Sequence, residues 1–428
     1  MTENNPDLED DFKNAIREFT GYEDLGNKFW SRQPVYYDNA GIWWLWNKRK
    51  FKWVMSDVVD LMIRVDQNLR AGIITERMKN KSEIIEALKK TGRRHKPKEL
   101  DSNWIQFKNE LINIKTGETK IPCAGYFCIN PIPWNLSEGD TPIIDEMFRK
   151  WAGEDTELLH ETTAYCLLSD YPIHRIFAHN GDGSNGKSTY QTFVTKLVGK
   201  DNVCSTDLDT LINRPFEKSK LYKKLVCLMG ETDMNRINKT SLMKKLSGQD
   251  LVGVEFKQKT PFDNVNYAKL IVATNSLPIT TDKTNGFYRR WLIVDFKNRF
   301  SGEVDILKTI PDQEYKNYLG KCIVRLKNLL NVRKFNSQGS IEDRKQKYEE
   351  RSNPITTFVN KGYIKNPNGT ILFSTFFNNF MSYLKVRGMR EQTAISTVKG
   401  LKEMGFESGL QNNKRVYFGL EDRREWKS

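Results

Sequence analysis

The chain has 428 residues, 38% hydrophobic and 11% aromatic, a balance that supports packed cores and excludes a low-complexity polymer. At roughly 100–200 residues per domain, the length predicts about two to four domains. Lys and Arg total 68 against 54 Asp and Glu, a formal charge of +14, which favours a polyanionic partner because each neutralised phosphate releases counterions.

The opening MTENNPDLEDDF is polar and acidic and lacks the basic and apolar regions of a signal peptide. No stretch approaches the ~18 consecutive apolar residues of a membrane span, so a cytoplasmic protein with no membrane partner is expected. Residues 1–20 read as an acidic linker. An N-terminal α+β domain is expected over 21–140. Within it FWSRQPVYYDNAGIWWLWNKRKFKWV reads as short strands with a turn near Asp38–Gly41. Its aromatics are expected to fill a β-rich core. Residues 56–90 carry helical spacing (Val58, Leu61, Met62, Val65, then Ile84, Ile85, Leu88) with a break near Gly72. TGRRHKPKEL from 91 reads as a basic loop, and 103–135 as short strands and turns bounded by Pro131 and Pro133.

A helical segment is expected over 141–175, then a nucleotide-binding core over 176–340. Apolar runs recur there: IHRIFAH, KLVCLMG at 224–230, KLIVATN at 269–275 and RWLIVDF at 290–296. Continuous apolar runs are the mark of buried parallel strands, so an α/β sheet is predicted. Over 341–428 a charged helix, IEDRKQKYEERS, leads to NPITTFVNKGYI, two helical stretches near 372–386 and 390–404, and a closing strand KRVYFGL. That order suggests a winged-helix-like module. The six cysteines are scattered, and no second Cys or His pair completes a zinc site beside Cys123 and Cys128.

The strongest signal is GDGSNGKS, a complete G-x-x-x-x-G-K-[ST] between a strand and the helix STYQTFVTKLVG. Successive backbone N–H groups of Gly181, Asp182, Gly183, Ser184, Asn185 and Gly186 can turn inward around phosphate oxygens, and the helix start at Lys187, Ser188 and Thr189 adds its positive end. Lys187 reaches the β- and γ-phosphates and the Ser188 hydroxyl can ligate Mg²⁺. ATP and Mg²⁺ are the expected substrate and cofactor. The run LVCLMG ends at Glu231, with Asp233 two residues on. A carboxylate at the end of an adjacent strand can orient the attacking water and hold Mg²⁺ through its shell. KLIVAT ends at Asn275, whose amide can help place that water. Arg289 and Arg290 precede the fourth run, and an arginine there can stabilise charge on the transferred phosphoryl group from the same or a neighbouring subunit.

These pieces occur in order within about 110 residues, and they resemble the superfamily 3 helicases, in particular the helicase part of phage, plasmid and poxvirus primase-helicases. The residues that carry the resemblance are LMGETD, KKLSGQD, VEFKQKTPF, ATNSLP and FYRRW. Upstream, WIQFKNELINIKTGETKIPCAGYFCINPIPWNL looks like the domain that precedes the helicase in that family. The resemblance implies a P-loop core of the AAA+ type, with Glu231 as catalytic carboxylate, Asn275 as sensor, and Arg290 ahead of Arg289 as a finger reaching into the next subunit's site. Lys244, Gly248 and Asp250 match the family's K-x-L-T-G-x-D. The hairpin over about 251–265 should point into a central channel, with Lys257 and Lys259 gripping single-stranded phosphates and Phe256 and Phe262 packing it. Glu255 stands where the family often has a basic residue. The resemblance further implies a homo-oligomeric ring of about six subunits, forked or single-stranded DNA as substrate, 3′-to-5′ translocation, and a primase or polymerase domain or protein alongside. A packaging motor or an ATP-assembled replication initiator is the alternative. A small-molecule kinase would need neither the hairpin nor the C-terminal module.

Overall fold

A computed structural model of the chain describes residues 22–69, 78–230, 236–302, 305–386, 389 and 391–422. These described residues fall into two compact units, one within 22–135 together with 253–263 and the other within 136–252 and 264–422.

In the first unit, helix α1 (Tyr22–Arg32) precedes an antiparallel meander of β1 (Val35–Tyr37), β2 (Trp43–Asn47) and β3 (Lys52–Ser56). The turn between β1 and β2 lies where the sequence put it. The Asp38 carboxylate accepts from Ile42 N–H (2.9 Å) and Trp44 Nε1 (2.8 Å), and Gly41 takes φ +72°, a conformation open to glycine at little cost. Trp43, Leu45, Leu61, Val65, Ile84 and Leu88 share one core. The tryptophans therefore pack rather than line a surface.

The helical stretch is α2 (Val58–Leu69) and α3 (Met78–Arg94). The expected break near Gly72 lies outside the described residues. The expected loop at 91 is instead the last turn of α3. Thr91 is buried, and a side chain on Gly26 of α1 would collide with it. Packing of α3 on α1 thus overrides the local basic, Gly-containing composition. A second meander, β4 (Trp104–Gln106), β5 (Leu111–Asn113) and β6 (Thr119–Lys120), follows.

The second unit begins with α4 (Pro142–Ala152) and α5 (Thr156–Tyr165). It then builds a five-stranded sheet from β7 (Ile176–Asn180), β8 (Val203–Thr206), β9 (Val226–Met229), β13 (Lys269–Thr274) and β15 (Trp291–Asp295). The order is β15-β7-β13-β9-β8 and all pairs are parallel. The expected mixed α/β fold with a parallel sheet is therefore present. Strands β7, β9, β13 and β15 are buried throughout, as continuous apolar runs require. Between them in the chain come α6 (Lys187–Val198), α7 (Leu208–Asn213), the short pair β10 (Arg236–Ile237) and β14 (Ile279–Thr280), α8 (Ser241–Leu246) and α9 (Asn285–Tyr288), and also the two-stranded sheet of β11 (Leu251–Val254) and β12 (Phe262–Val265), whose residues 253–263 belong to the first unit.

After β15 come α10 (Ile306–Thr309), the long α11 (Asp312–Val332) and α12 (Ile341–Ser352). Tyr348 of α12 is buried in the core of the sheet with Ile293, Trp291 and Phe287. A separate core begins at Ile355 and runs to Leu420. It is built by α13 (Pro354–Gly362), β16 (Tyr363–Leu372), α14 (Phe373–Val386), α15 (Ala394–Glu403), β17 (Ser408–Gln411) and β18 (Lys414–Asp422), with antiparallel sheet order β16-β18-β17. The β17–β18 turn places Asn412 and Asn413 at φ 49° and 59°, the two left-handed residues that a tight hairpin needs. Strand β16 has no counterpart in the sequence reading. Its Asn-Pro-Asn-Gly stretch falls where the register shifts between Lys365 and Thr370. No helix among the described residues is long and apolar enough to cross a membrane.

Candidate nucleotide site

Strand β7 delivers the chain to Gly181, whose N–H donates to Thr274 O at 3.1 Å. Gly183, Ser184 and Gly186 then take φ +80°, 51° and 93°. These left-handed turns curl the backbone into an arch, and α6 starts at Lys187 with Gly186 as its cap. Two close approaches explain the glycines physically. A Cβ on Gly181 would strike Asn185 and Phe296 O, and one on Gly186 would strike the Trp151 indole.

Asn185 locks the arch. Its Nδ2 donates to Phe296 O (2.7 Å) just past β15, and its Oδ1 accepts from Lys187 Nζ (2.9 Å). The Lys187 ammonium also donates to Gly181 O and to Asn275 Oδ1 (3.2 Å). Phe300 N–H donates to Ser184 O (2.8 Å). Gln191 of α6 reaches back to Met229 O at the end of β9 (2.8 Å).

The arch opens onto a cavity of about 1120 Å³. It is lined by the loop with Ser188, Thr189, Gly230 and Asn275, and by Ile143, Met147 and Trp151 of α4 with Phe300 and Ile306. The cavity sits at the carboxyl ends of β7 and β13, adjacent strands whose connections run to opposite edges of the sheet, where α/β sheets bind ligands. Helix α4 is held over it by α5 and α11. Phe148 stacks on His160 at 4.5 Å, Glu314 Oε1 accepts from Ile144 N–H at 2.7 Å, and Lys321 bonds both Thr141 and Asp145. His160 is pushed down to about 4 and His179, under the loop, to about 3, in both cases chiefly by burial. Both imidazoles are therefore neutral near pH 7, and His160 packs on Phe148 while its Nδ1 meets the Tyr318 hydroxyl at 2.9 Å.

Of the residues named from sequence, Lys187, Ser188 and Asn275 meet in this cavity with the loop residues Gly183 to Thr189, while Gly181 and Asp182 form the loop's base. Glu231 and Asp233 lie outside the described residues. Gly230, immediately before Glu231, lines the cavity.

The two arginines stand otherwise than the sequence ranked them. Arg290 is buried, donating to Gly286 O and Lys244 O, and burial lowers its pKa, with the neighbouring Arg289 charge adding to that. Arg289 is the exposed one. The reason is a tertiary contact: Gly248 leaves the space into which the Arg290 guanidinium fits. The matched Lys244, Gly248 and Asp250 thus surround a buried arginine. Lys244 also pairs with Asp282 at 2.5 Å. Burial pushes the Asp282 carboxyl up, but hydrogen bonds from Lys244, Thr240 and Thr284 outweigh it and hold the carboxyl well below the usual range.

In the first unit the hairpin tip carries Lys257 and Lys259 exposed. Phe256 and Phe262 stack on one another at 6.1 Å, the packing role expected for them. Sequence reasoning missed Trp151, Phe296 and a buried pair, Asp295 with Arg351. Only the aromatic preceding Gly153 and the apolar run ending at Phe296 could have drawn attention to the first two.

Residues 27–154 match the family described as D5 N terminal like, and residues 179–290 match a family of unknown function, DUF5906. Among solved structures, an A-form apo structure of the NrS-1 C terminal region has 11% identity and TM-score 0.47, covering 92% of this chain and 98% of that one. A second apo structure of the same region has 12% identity and TM-score 0.49, covering 94% of this chain and 100% of that one.

Proposed function

We propose that the chain is the helicase part of a phage or mobile-element primase-helicase: an ATP-dependent DNA helicase with an AAA+ type core of superfamily 3, working as a ring of about six subunits. The match to a D5 N terminal like family over 27–154 fits a phage primase-helicase. The observation that carries the reading is the meeting of Lys187 with Asn275 across the ends of adjacent strands, in a cavity capped by a complete phosphate loop.

In this reading the left-handed arch and the first turn of α6 hold the phosphates with backbone N–H groups, and Lys187 lies against the β- and γ-phosphates. Ser188, exposed to the cavity in the first helical turn, fits a Mg²⁺ ligand. Bound there with help from Glu231, Mg²⁺ would neutralise charge on the phosphoryl group. Glu231 would orient the attacking water and take its proton, and Asn275 would hold that water in line. The apolar side chains of the lining, Ile143, Met147 and Ile306, would receive the base.

Arg289, being exposed, is the better candidate to reach a neighbour's phosphate, while Arg290 shapes the turn that presents it. Lys257 and Lys259 would grip single-stranded phosphates. The module from 354 to 422 has the helix and strand order of a winged helix, and the net charge of +14 suits a nucleic-acid partner.

The test is phosphate release with and without single-stranded DNA, alongside unwinding of a forked duplex and a mass measurement of the assembly. Stimulation by single strands, with unwinding abolished in Lys187→Ala, is expected. A monomer whose hydrolysis ignores DNA, or a Lys187→Ala variant that still unwinds, overturns the reading.

A further inference from the structure

The strand that carries the phosphate loop, β7, has two neighbours. One is β15, and the other is β13, which leads into Asn275. A single residue from outside the sheet touches the ends of both. Arg351, in the last turn of α12, makes a bidentate pair with Asp295 at the end of β15, Nε to Oδ1 and Nη2 to Oδ2, each 2.8 Å. Its main-chain carbonyl accepts from Leu277 N–H at 3.1 Å, two residues beyond Asn275. The middle strand is included too, since Asn180 Nδ2 at the end of β7 donates to Asp295 Oδ1 at 3.2 Å. Both side chains of the pair are under a tenth exposed. Lys347, at 3.8 Å from Asp295, is the other cation on α12 that faces the carboxylate.

We propose that Arg351 is a positioning residue for the nucleotide site, stapling the carboxyl ends of β15 and β13 on either side of the phosphate-loop strand and so setting Asn275 against Lys187. Asn180 immediately precedes Gly181, and Phe296, immediately after Asp295, accepts the Asn185 side chain that locks the loop. A change in the splay of these strand ends therefore reaches both the lysine and the sensor amide. A buried ion pair is a poor source of net stability, because desolvation of both charges offsets their attraction. What a planar bidentate pair supplies is a fixed distance and angle, which a lysine cannot reproduce. Hydrolysis in a preorganised site is sensitive to that geometry, where a displacement of about 1 Å can cost around a hundredfold in rate.

This inference rests on the reading of the cavity as a nucleotide-hydrolysing site. The experiment uses the full chain with single-stranded DNA, in four forms: wild type, Lys187→Ala, Arg351→Lys, and the apolar pair Asp295→Leu with Arg351→Met, which removes both charges together. Steady-state phosphate release gives kcat and KM, and thermal melting reports the fold. Wild-type turnover that Lys187→Ala abolishes establishes the site. Arg351→Lys and the apolar pair are then expected to fold, to keep KM within about threefold because the loop still holds the phosphates, and to lose about 10- to 100-fold in kcat. A wild-type chain without turnover overturns the site reading and this inference with it. Turnover in the wild type with kcat unchanged in both variants overturns the inference alone. So does a raised KM at normal kcat, or failure of both variants to fold, since each assigns the pair to binding or to bulk stability instead.

Discussion

Lys187 and Asn275 are 88 residues apart in the chain, yet the lysine ammonium donates to the asparagine amide oxygen at 3.2 Å. The contact exists because β7 and β13 are parallel neighbours in register, with Thr274 opposite Asn180, so the residues after each strand emerge at the same edge. Asn275→Ala is expected to lower kcat about 10- to 100-fold with a smaller change in KM, as for loss of one transition-state hydrogen-bond partner. Phosphate release at saturating ATP measures it.

The glycines of the loop should differ in their tolerance. Gly186→Ala combines φ +93° with a collision against Trp151, whereas a Cβ at Gly183, φ +80°, meets nothing within 4 Å. The left-handed conformation alone costs roughly 1–2 kcal/mol. Gly183→Ala should lose about that much, and Gly186→Ala more, with nucleotide binding lost as well. Thermal melting with and without a non-hydrolysable nucleotide separates the two.

Arg289 and Arg290 make opposite predictions. Arg290→Ala leaves the Gly286 and Lys244 carbonyls without their buried donor and should destabilise the fold by about 2–4 kcal/mol. Arg289→Ala, on the surface, should leave melting unchanged within roughly 0.5 kcal/mol while lowering turnover if the chain works as the proposed ring. Mixing Arg289→Ala with Lys187→Ala subunits should restore some turnover if the arginine serves its neighbour's site, and none if it serves its own.

Lys257→Ala with Lys259→Ala should leave DNA-free hydrolysis unchanged and flatten the salt dependence of single-strand binding. Each phosphate contact removed lowers the log–log slope by about 0.7. Fluorescence anisotropy across a salt series reads this directly.

Lys269 gives a pH signature. It is fully buried with its ammonium donating to Leu168 O and Tyr267 O, and burial pulls its pKa down to about 7 from an ordinary 10.5. Between those values the unfolded chain binds the proton and the folded chain does not, so stability rises with pH across that window. Below pH 7 the penalty for the buried charge is present in full. The melting temperature of the wild type relative to Lys269→Met is therefore expected to be flat below about pH 7 and to climb above it. A flat difference up to pH 10 contradicts the assignment.

Four of the five strands of the parallel sheet were legible as apolar runs, and the glycine-rich loop in eight consecutive residues. Both signals are local, because burial on two faces and a tight phosphate arch each dictate the residues in one short stretch. What escaped was non-local or conditional. Which of two adjacent arginines turns inward depends on the space beside Gly248, more than 40 positions away. Asp295 and Arg351 are separated by 56 residues, and neither carries a local signature. The extension of α3 through Thr91 needed the facing helix, and β16 hid behind Asn-Pro-Asn-Gly, residues that ordinarily end a strand.

The change of composition near 340 invites a cut there, yet the helix that follows belongs mechanically to what precedes it. Tyr348 fills the sheet's core and Arg351 holds its edge, whereas Asn353 caps the next helix through Thr356 N–H. The seam for exchanging a tail between relatives is therefore the bond or two around Asn353, provided the incoming tail keeps Lys361, whose ammonium pairs with Glu350 of α12 at 2.5 Å. A graft made ten residues earlier would import a foreign strut beside the candidate nucleotide site, and any change in a hybrid would then report the strut rather than the tail.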